Sequence, residues 1–149
     1  MTDEAASHQV RMSVHLSSRD VPAAIAFYTD VLGFRCTSVY PERGVPVWAH
    51  LELEGQDLMV ASPMAEAASD DAWAEFHAEN TRAFERGPCG GVLIYLRVAD
   101  IDAYYEQIVA RGALPAGEPV SQFYDIRDLP LLDLDGHRLV FYMTIESTS

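Results

Sequence analysis

The chain has 149 residues, 49% hydrophobic and 22% charged, which is the size and composition of one globular domain with a sizeable core rather than of a disordered or fibrous chain. Ten Lys and Arg stand against twenty-three Asp and Glu, a formal charge of −13; that field repels phosphate backbones and anionic bilayers and argues against nucleic acid or a membrane surface as partner. Cys36 and Cys89 fit no disulfide or zinc spacing, the start MTDEAASHQVR lacks the apolar run of a secretory signal, and no run of about 18 apolar residues occurs, so a cytoplasmic protein is expected.

Residues 1–10 are small and polar without periodicity and are predicted to form a disordered tail. A strand is predicted over 11–18. Asp20 then stands where a helix N-cap belongs, with Pro22 in the first turn, where its missing N–H costs nothing. Val21, Ala24, Ile25, Tyr28, Val31 and Leu32 recur at helical spacing, and Gly33 supplies the stop. Strands follow over 34–40, 45–53 and 58–62, separated by turns at 41–44 and 54–57. The order is βαβββ.

Residues 63–90 read as a linker holding one helix, about 70–86, with Trp73 and Phe76 on its buried face, and a hinge of glycines at 87–91. These glycines lack the patterns of phosphate-binding loops. A strand over 92–98, a helix capped at Asp100 and ended at Gly112, and a connection bearing Pro and Gly come next. Pro130 demotes residues 129–134 to an edge, a bulge or a strand start. Asp135-Gly136 is a strong hairpin signal leading into a last strand over 138–145.

The second half repeats the first. At an offset of 80, Leu16 falls on Leu96, Asp20 on Asp100, Val21 on Ile101 and Ala23 on Ala103; at 81, Gly55, Leu58 and Val60 fall on Gly136, Leu139 and Phe141. The expectation is an α+β domain over 11–145: module 1 at 11–62, the helical linker at 63–90 and module 2 at 91–145. One helix covers one sheet face in each module, and the curved mixed sheets are expected to enclose a cavity with their other faces.

With FYTDVLGF at 27–34, VADIDAYYEQIVARG at 98–112 and DLDGHRLVFY at 133–142, the chain resembles the vicinal oxygen chelate superfamily, which includes glyoxalase I, extradiol dioxygenases, methylmalonyl-CoA epimerase and the bleomycin-resistance proteins. In its metal-using members four ligands, usually His, Glu or Gln, come from the first and fourth strands of each module. Carried over through the repeat, those positions are Ser13, Met59, Leu93 and Val140, which lack the oxygen or imidazole donors a divalent ion needs. A shift of two residues keeps the same face and gives His15, Ala61, Tyr95 and Tyr142, again no metal set. The resemblance therefore implies a member of the bleomycin-resistance type, with no metal or other cofactor, forming a homodimer whose clefts are completed across the interface.

Strand alternation turns Ser13, His15, Ser17, Met59, Ala61, Leu93, Tyr95, Arg97, Val140 and Tyr142 toward the cavity, opposite Val14, Leu16, Ile94, Leu96, Leu139 and Phe141. Trp48 and His50 join them if Leu51 and Leu53 face the helix. The expected ligand contacts are Ser13, His15, Trp48, His50, Met59, Leu93, Tyr95, Val140 and Tyr142, an aromatic and apolar lining with a few polar points. His15 could act as general base with Tyr95 as its acid, or simply sit hydrogen-bonded in a polar pocket. Tyr40, Trp48, Phe123 and Tyr124 offer stacking surface or interface packing. His137, next to a tight turn, is expected to be exposed. Asp125, Asp128, Asp133 and Asp135 match no calcium loop, and Arg127 reads as an ion-pair partner.

Sequestration of an aromatic or cationic organic molecule without a metal is the expected function. A cofactor-independent isomerase, cyclase or lyase using His15 with Tyr95 is the alternative, and a metal-dependent lyase or dioxygenase a third.

Overall fold

The structure, a computed structural model, describes residues 11–63, 71–87 and 90–146. The tail at 1–10, part of the linker and Cys89 lie outside them. Module 1 runs β1 (His15–Ser17), α1 (Val21–Ala26), β2 (Arg35–Tyr40), β3 (Trp48–Leu53) and β4 (Gln56–Ala61). The linker helix is α2 (Asp71–Arg86). Module 2 runs β5 (Ile94–Arg97), α3 (Ile101–Ala110), β6 (Val120–Ser121), β7 (Ile126–Leu132) and β8 (Arg138–Thr144). No helix among the described residues is long and apolar enough to cross a membrane.

Both module helices start in the same way. The carboxylates of Asp20 and Asp100 accept from the amides of Ala23 and Ala103, at 3.0 and 3.1 Å, satisfying a donor that the first turn leaves orphaned. After α1 the chain widens into a π-helical turn, Phe27–Val31. Gly33, at φ +80°, then reverses the backbone in a region that a side chain would resist.

Each module makes a four-stranded mixed sheet, in the orders β1-β4-β3-β2 and β5-β8-β7-β6. Their parallel pairs superimpose through the repeat: His15 on Met59, Leu16 on Val60 and Ser17 on Ala61 in one sheet become Tyr95 on Val140, Leu96 on Phe141 and Arg97 on Tyr142 in the other. Pro130 stands within β7 opposite Val140. Lacking an N–H, it suits a pair that exchanges no hydrogen bonds, and β6 pairs only with Arg127 and Asp128, so no neighbour awaits its nitrogen.

The helix-covered faces share a single core, with Leu16, Leu51, Val60 and Tyr28 from module 1 and Leu96, Ile108, Leu129 and Phe141 from module 2. Two matching side-chain clamps join the modules. Gln56, at the start of β4, donates from Nε2 to the Arg97 carbonyl and accepts the Arg97 amide at Oε1, both at 2.7 Å. At the equivalent place before β8, His137 Nε2 donates to the Ser17 carbonyl at 2.7 Å. A buried lock reinforces them: Asp133 accepts the Tyr28 hydroxyl at 2.7 Å and the amides of Asp135 and His137 at 2.9 Å. Asp135 in turn holds the Arg19 amide at 2.9 Å.

Three expectations are corrected. The sheets do not close around a cavity; their uncovered faces stay open, and Leu93 and Tyr95 are about half exposed (55% and 46%). Trp73 and Phe76 are exposed rather than buried, because α2 meets the body through its second half, where Phe84 is buried and Asn80 reaches the Ser17 hydroxyl. His137 is buried rather than exposed, because Phe84 stacks on its ring at 5.9 Å from the far side of the chain.

Candidate functional site

On the open face of module 1, Met59 lies between His15 and His50 as the register partner of both. Trp48 stacks on His50, rings 6.5 Å apart and 23° from parallel. Ser13, just before β1, lines a small recess with His50, Asp57 and Met59. His15 borders a groove of about 170 Å³ between β1, β5 and α2, whose walls include Leu16, Ile94 and Phe84 and whose rim carries Asn80 and Arg138.

Desolvation of its ring lowers the His15 pKa from 6.5, although part of the residue stays open to solvent, and the His77 imidazole lowers it further. The neutral ring is thus the folded form at pH 7. As pH falls through 6.5 the unfolded chain binds this proton first, so the stability His15 contributes is lost on acidification and retained above 6.5. Urea midpoints measured between pH 7.5 and 5.5 should fall more steeply for the parent than for His15→Gln. Parallel curves would remove His15 as the cause.

The open face of module 2 is aromatic. Tyr95 and Tyr142 meet edge to face at 5.8 Å. The pKa of Tyr124 is raised, by desolvation first, with the Asp128 carboxylate and Tyr95 adding to the rise. Asp128 is the cross-strand partner of Tyr142, is buried, and accepts from Gln122 Nε2 at 2.9 Å. Phe123 packs on Tyr124 at 4.9 Å while remaining almost fully exposed. Leu93 and Val140 line a separate groove with Leu114 and Pro115.

With this geometry the chain can be set beside known proteins. The model of the Glyoxalase/Bleomycin resistance protein/Dioxygenase superfamily matches residues 9–141. The chain belongs to this superfamily. Among solved structures it is similar to TioX from Micromonospora sp. ML1, at 22% identity over 94% of this chain and 100% of that one, with a TM-score of 0.67. It is also similar to a glyoxalase/bleomycin resistance protein/dioxygenase from Nocardioides, at 21% identity over 98% and 92% of the two chains and a TM-score of 0.64. UcmS2 matches at 20% identity over 90% and 98%, with a TM-score of 0.63. Identities this low carry the fold alone. No curated protein sequence matches the chain.

Within this glyoxalase-superfamily frame, the residues at the family's ligand positions do not fit a metal. The four positions that the resemblance carries over, Ser13, Met59, Leu93 and Val140, offer one hydroxyl, a thioether and two alkyl groups where hard donors are needed. Among the described residues no three His, Cys, Asp or Glu side chains come together as a metal site.

Of the predicted ligand contacts, His15, Trp48, His50 and Met59 share one open face, and Tyr95 and Tyr142 the other. Val140 is buried, and Ser13 and Leu93 lie at the strand starts. His15, in β1, and Tyr95, in β5, stand in different sheets. Two residues not singled out from the sequence do join the site: His50 Nε2 meets Asp57 Oδ2 at 2.9 Å, and its Nδ1 meets the Thr37 hydroxyl.

Proposed function

We propose that this chain is a binding protein for a small aromatic or cationic organic molecule, taken up without a metal ion in a cleft that a second copy of the chain completes. The observation that carries this reading is the Tyr95–Tyr142 ring pair on an open sheet face, with Asp128 directly across the strand from Tyr142. Tyrosine faces attract a cation through their ring quadrupoles, and a carboxylate behind them sets the sign of the charge that is welcome. The net charge of −13 adds long-range attraction for a cation. Two further observations support a dimer. Among the described residues only α2, at the β1 edge, reaches the open sheet faces, and the apolar side chains exposed there, Leu93 and Tyr95 among them, suit burial against another surface.

A thermal-shift series on protein dialysed against chelator tests the ligand class, using planar aromatic cations such as acriflavine beside neutral aromatics of similar size. A ligand at about 100 times its dissociation constant should add about 2.7 kcal/mol of stability, or roughly 5–10 °C in a chain of this size. Cations should outrank their neutral counterparts. Stabilisation by a divalent metal alone, with no organic probe active, would overturn the reading.

A further inference from the structure

Thr37, His50 and Asp57 come from three adjacent strands and form a continuous hydrogen-bonded line on the open face of module 1. The sequence pattern hides it, because the β2–β3 register passes from Cys36–Leu51 to Ser38–His50 and skips Thr37. This irregularity turns an exposed hydroxyl toward the His50 ring. Asp57 is held ionised, its pKa lowered first by the hydrogen bond from His50 and further by the nearby Arg11 guanidinium. A carboxylate only accepts, so His50 Nε2 carries the proton on that side. In the neutral imidazole Nδ1 is then a lone pair, and it receives the Thr37 O–H.

The line also accommodates one more proton without losing a partner. Thr37 Oγ1 lies 3.3 Å from the His50 carbonyl oxygen. When Nδ1 is protonated it donates to Thr37 Oγ1, and the hydroxyl hydrogen turns to that carbonyl. A base oriented by a carboxylate, bonded to an exposed hydroxyl and satisfied in both protonation states has the arrangement of an activated nucleophile.

We infer that Thr37 is an acyl-accepting nucleophile, with His50 as its base and Asp57 as the group that orients the base, and that the site cleaves small aryl esters. Thr37 Oγ1 attacks the ester carbonyl carbon while its proton passes to His50 Nδ1. The ester C–O bond then breaks as the His50 imidazolium passes that proton to the departing aryl oxygen, leaving an acyl-threonine, a phenol and a neutral His50. Water, deprotonated by the neutral His50, attacks that acyl group and releases the carboxylic acid and the free hydroxyl. The sum is ester plus water giving acid plus phenol. Trp48, stacked beside His50, supplies a flat wall for the aryl group. Thr37, His50 and Asp57 all belong to module 1, so the inference does not rest on the binding role proposed for the tyrosine face of module 2.

p-Nitrophenyl acetate is the probe, with nitrophenolate release followed by absorbance and the acetylated residue located by peptide mass spectrometry. The chain contains no lysine, which removes the commonest competing acceptor. The expected result is an initial burst with acetyl on Thr37. Thr37→Ser should retain the burst and Thr37→Val abolish it. His50→Gln should slow acylation by about 100-fold and flatten the rise in rate with pH that the imidazole imposes, and Asp57→Asn should slow acylation less. Melting temperatures measured alongside separate loss of chemistry from loss of fold. Acetyl found only on Cys36, tyrosines or the amino terminus, or equal acylation rates in folded His50→Gln and parent protein, would overturn the inference.

Discussion

Asp133→Ala should destabilise the protein by about 4 kcal/mol, a fall of roughly 8–16 °C in melting temperature for a chain of this length. Asp133 is buried and accepts from one phenol and two backbone amides, and the substitution strands all three donors where water has little access. Tyr28→Phe removes one of the three bonds and leaves the carboxylate with its two amides, so about 2 kcal/mol is expected. The Tyr28 phenol is held protonated by burial first and by the Asp133 charge second, which keeps it a donor well above its ordinary range. Because Tyr28 belongs to module 1 and Asp133 to module 2, the loss should appear as one cooperative transition at a lower temperature. Calorimetry of the two variants checks this; a cost under about 1 kcal/mol for Asp133→Ala would mean that solvent reaches the stranded amides.

The second large effect concerns the ligand. Tyr142→Ala should weaken binding of a planar aromatic cation by about 30-fold, equivalent to about 2 kcal/mol. It removes both a ring that faces the ligand and the edge-to-face support of Tyr95. Asp128→Asn separates charge from shape: the cation should lose affinity while a neutral aromatic of the same size keeps it. Isothermal titration with both probes reads the difference. Equal losses for the two probes would leave the carboxylate with a structural role through Gln122 only.

The doubled plan was legible in the sequence because it rests on local chemistry. Asp20 and Asp100 cap their helices in the same way, and the offsets of 80 and 81 carry the β1–β4 register of one module onto the β5–β8 register of the other. Strand alternation also placed His15, Trp48, His50, Met59, Tyr95 and Tyr142 away from the helices, but in one shared cavity where the structure has two open faces. What escaped depends on contacts between distant segments. The burial of His137 comes from Phe84 in the linker helix, and nothing near Asp135-Gly136 announces it. Thr37 was missed because its irregular register breaks the alternation by which faces are read. Trp73 and Phe76 have the spacing of a buried stripe, but the body ends beneath the second half of α2.

On the proposed reading, a cleft built from the His15 face of one copy and the Tyr95 face of another would place residues of the two open faces in one site. Light scattering on the eluting peak of a size-exclusion column measures this most directly. A mass of twice the 16.5 kDa chain is predicted; a peak that stays at the single-chain mass across the accessible concentration range would contradict the dimeric cleft.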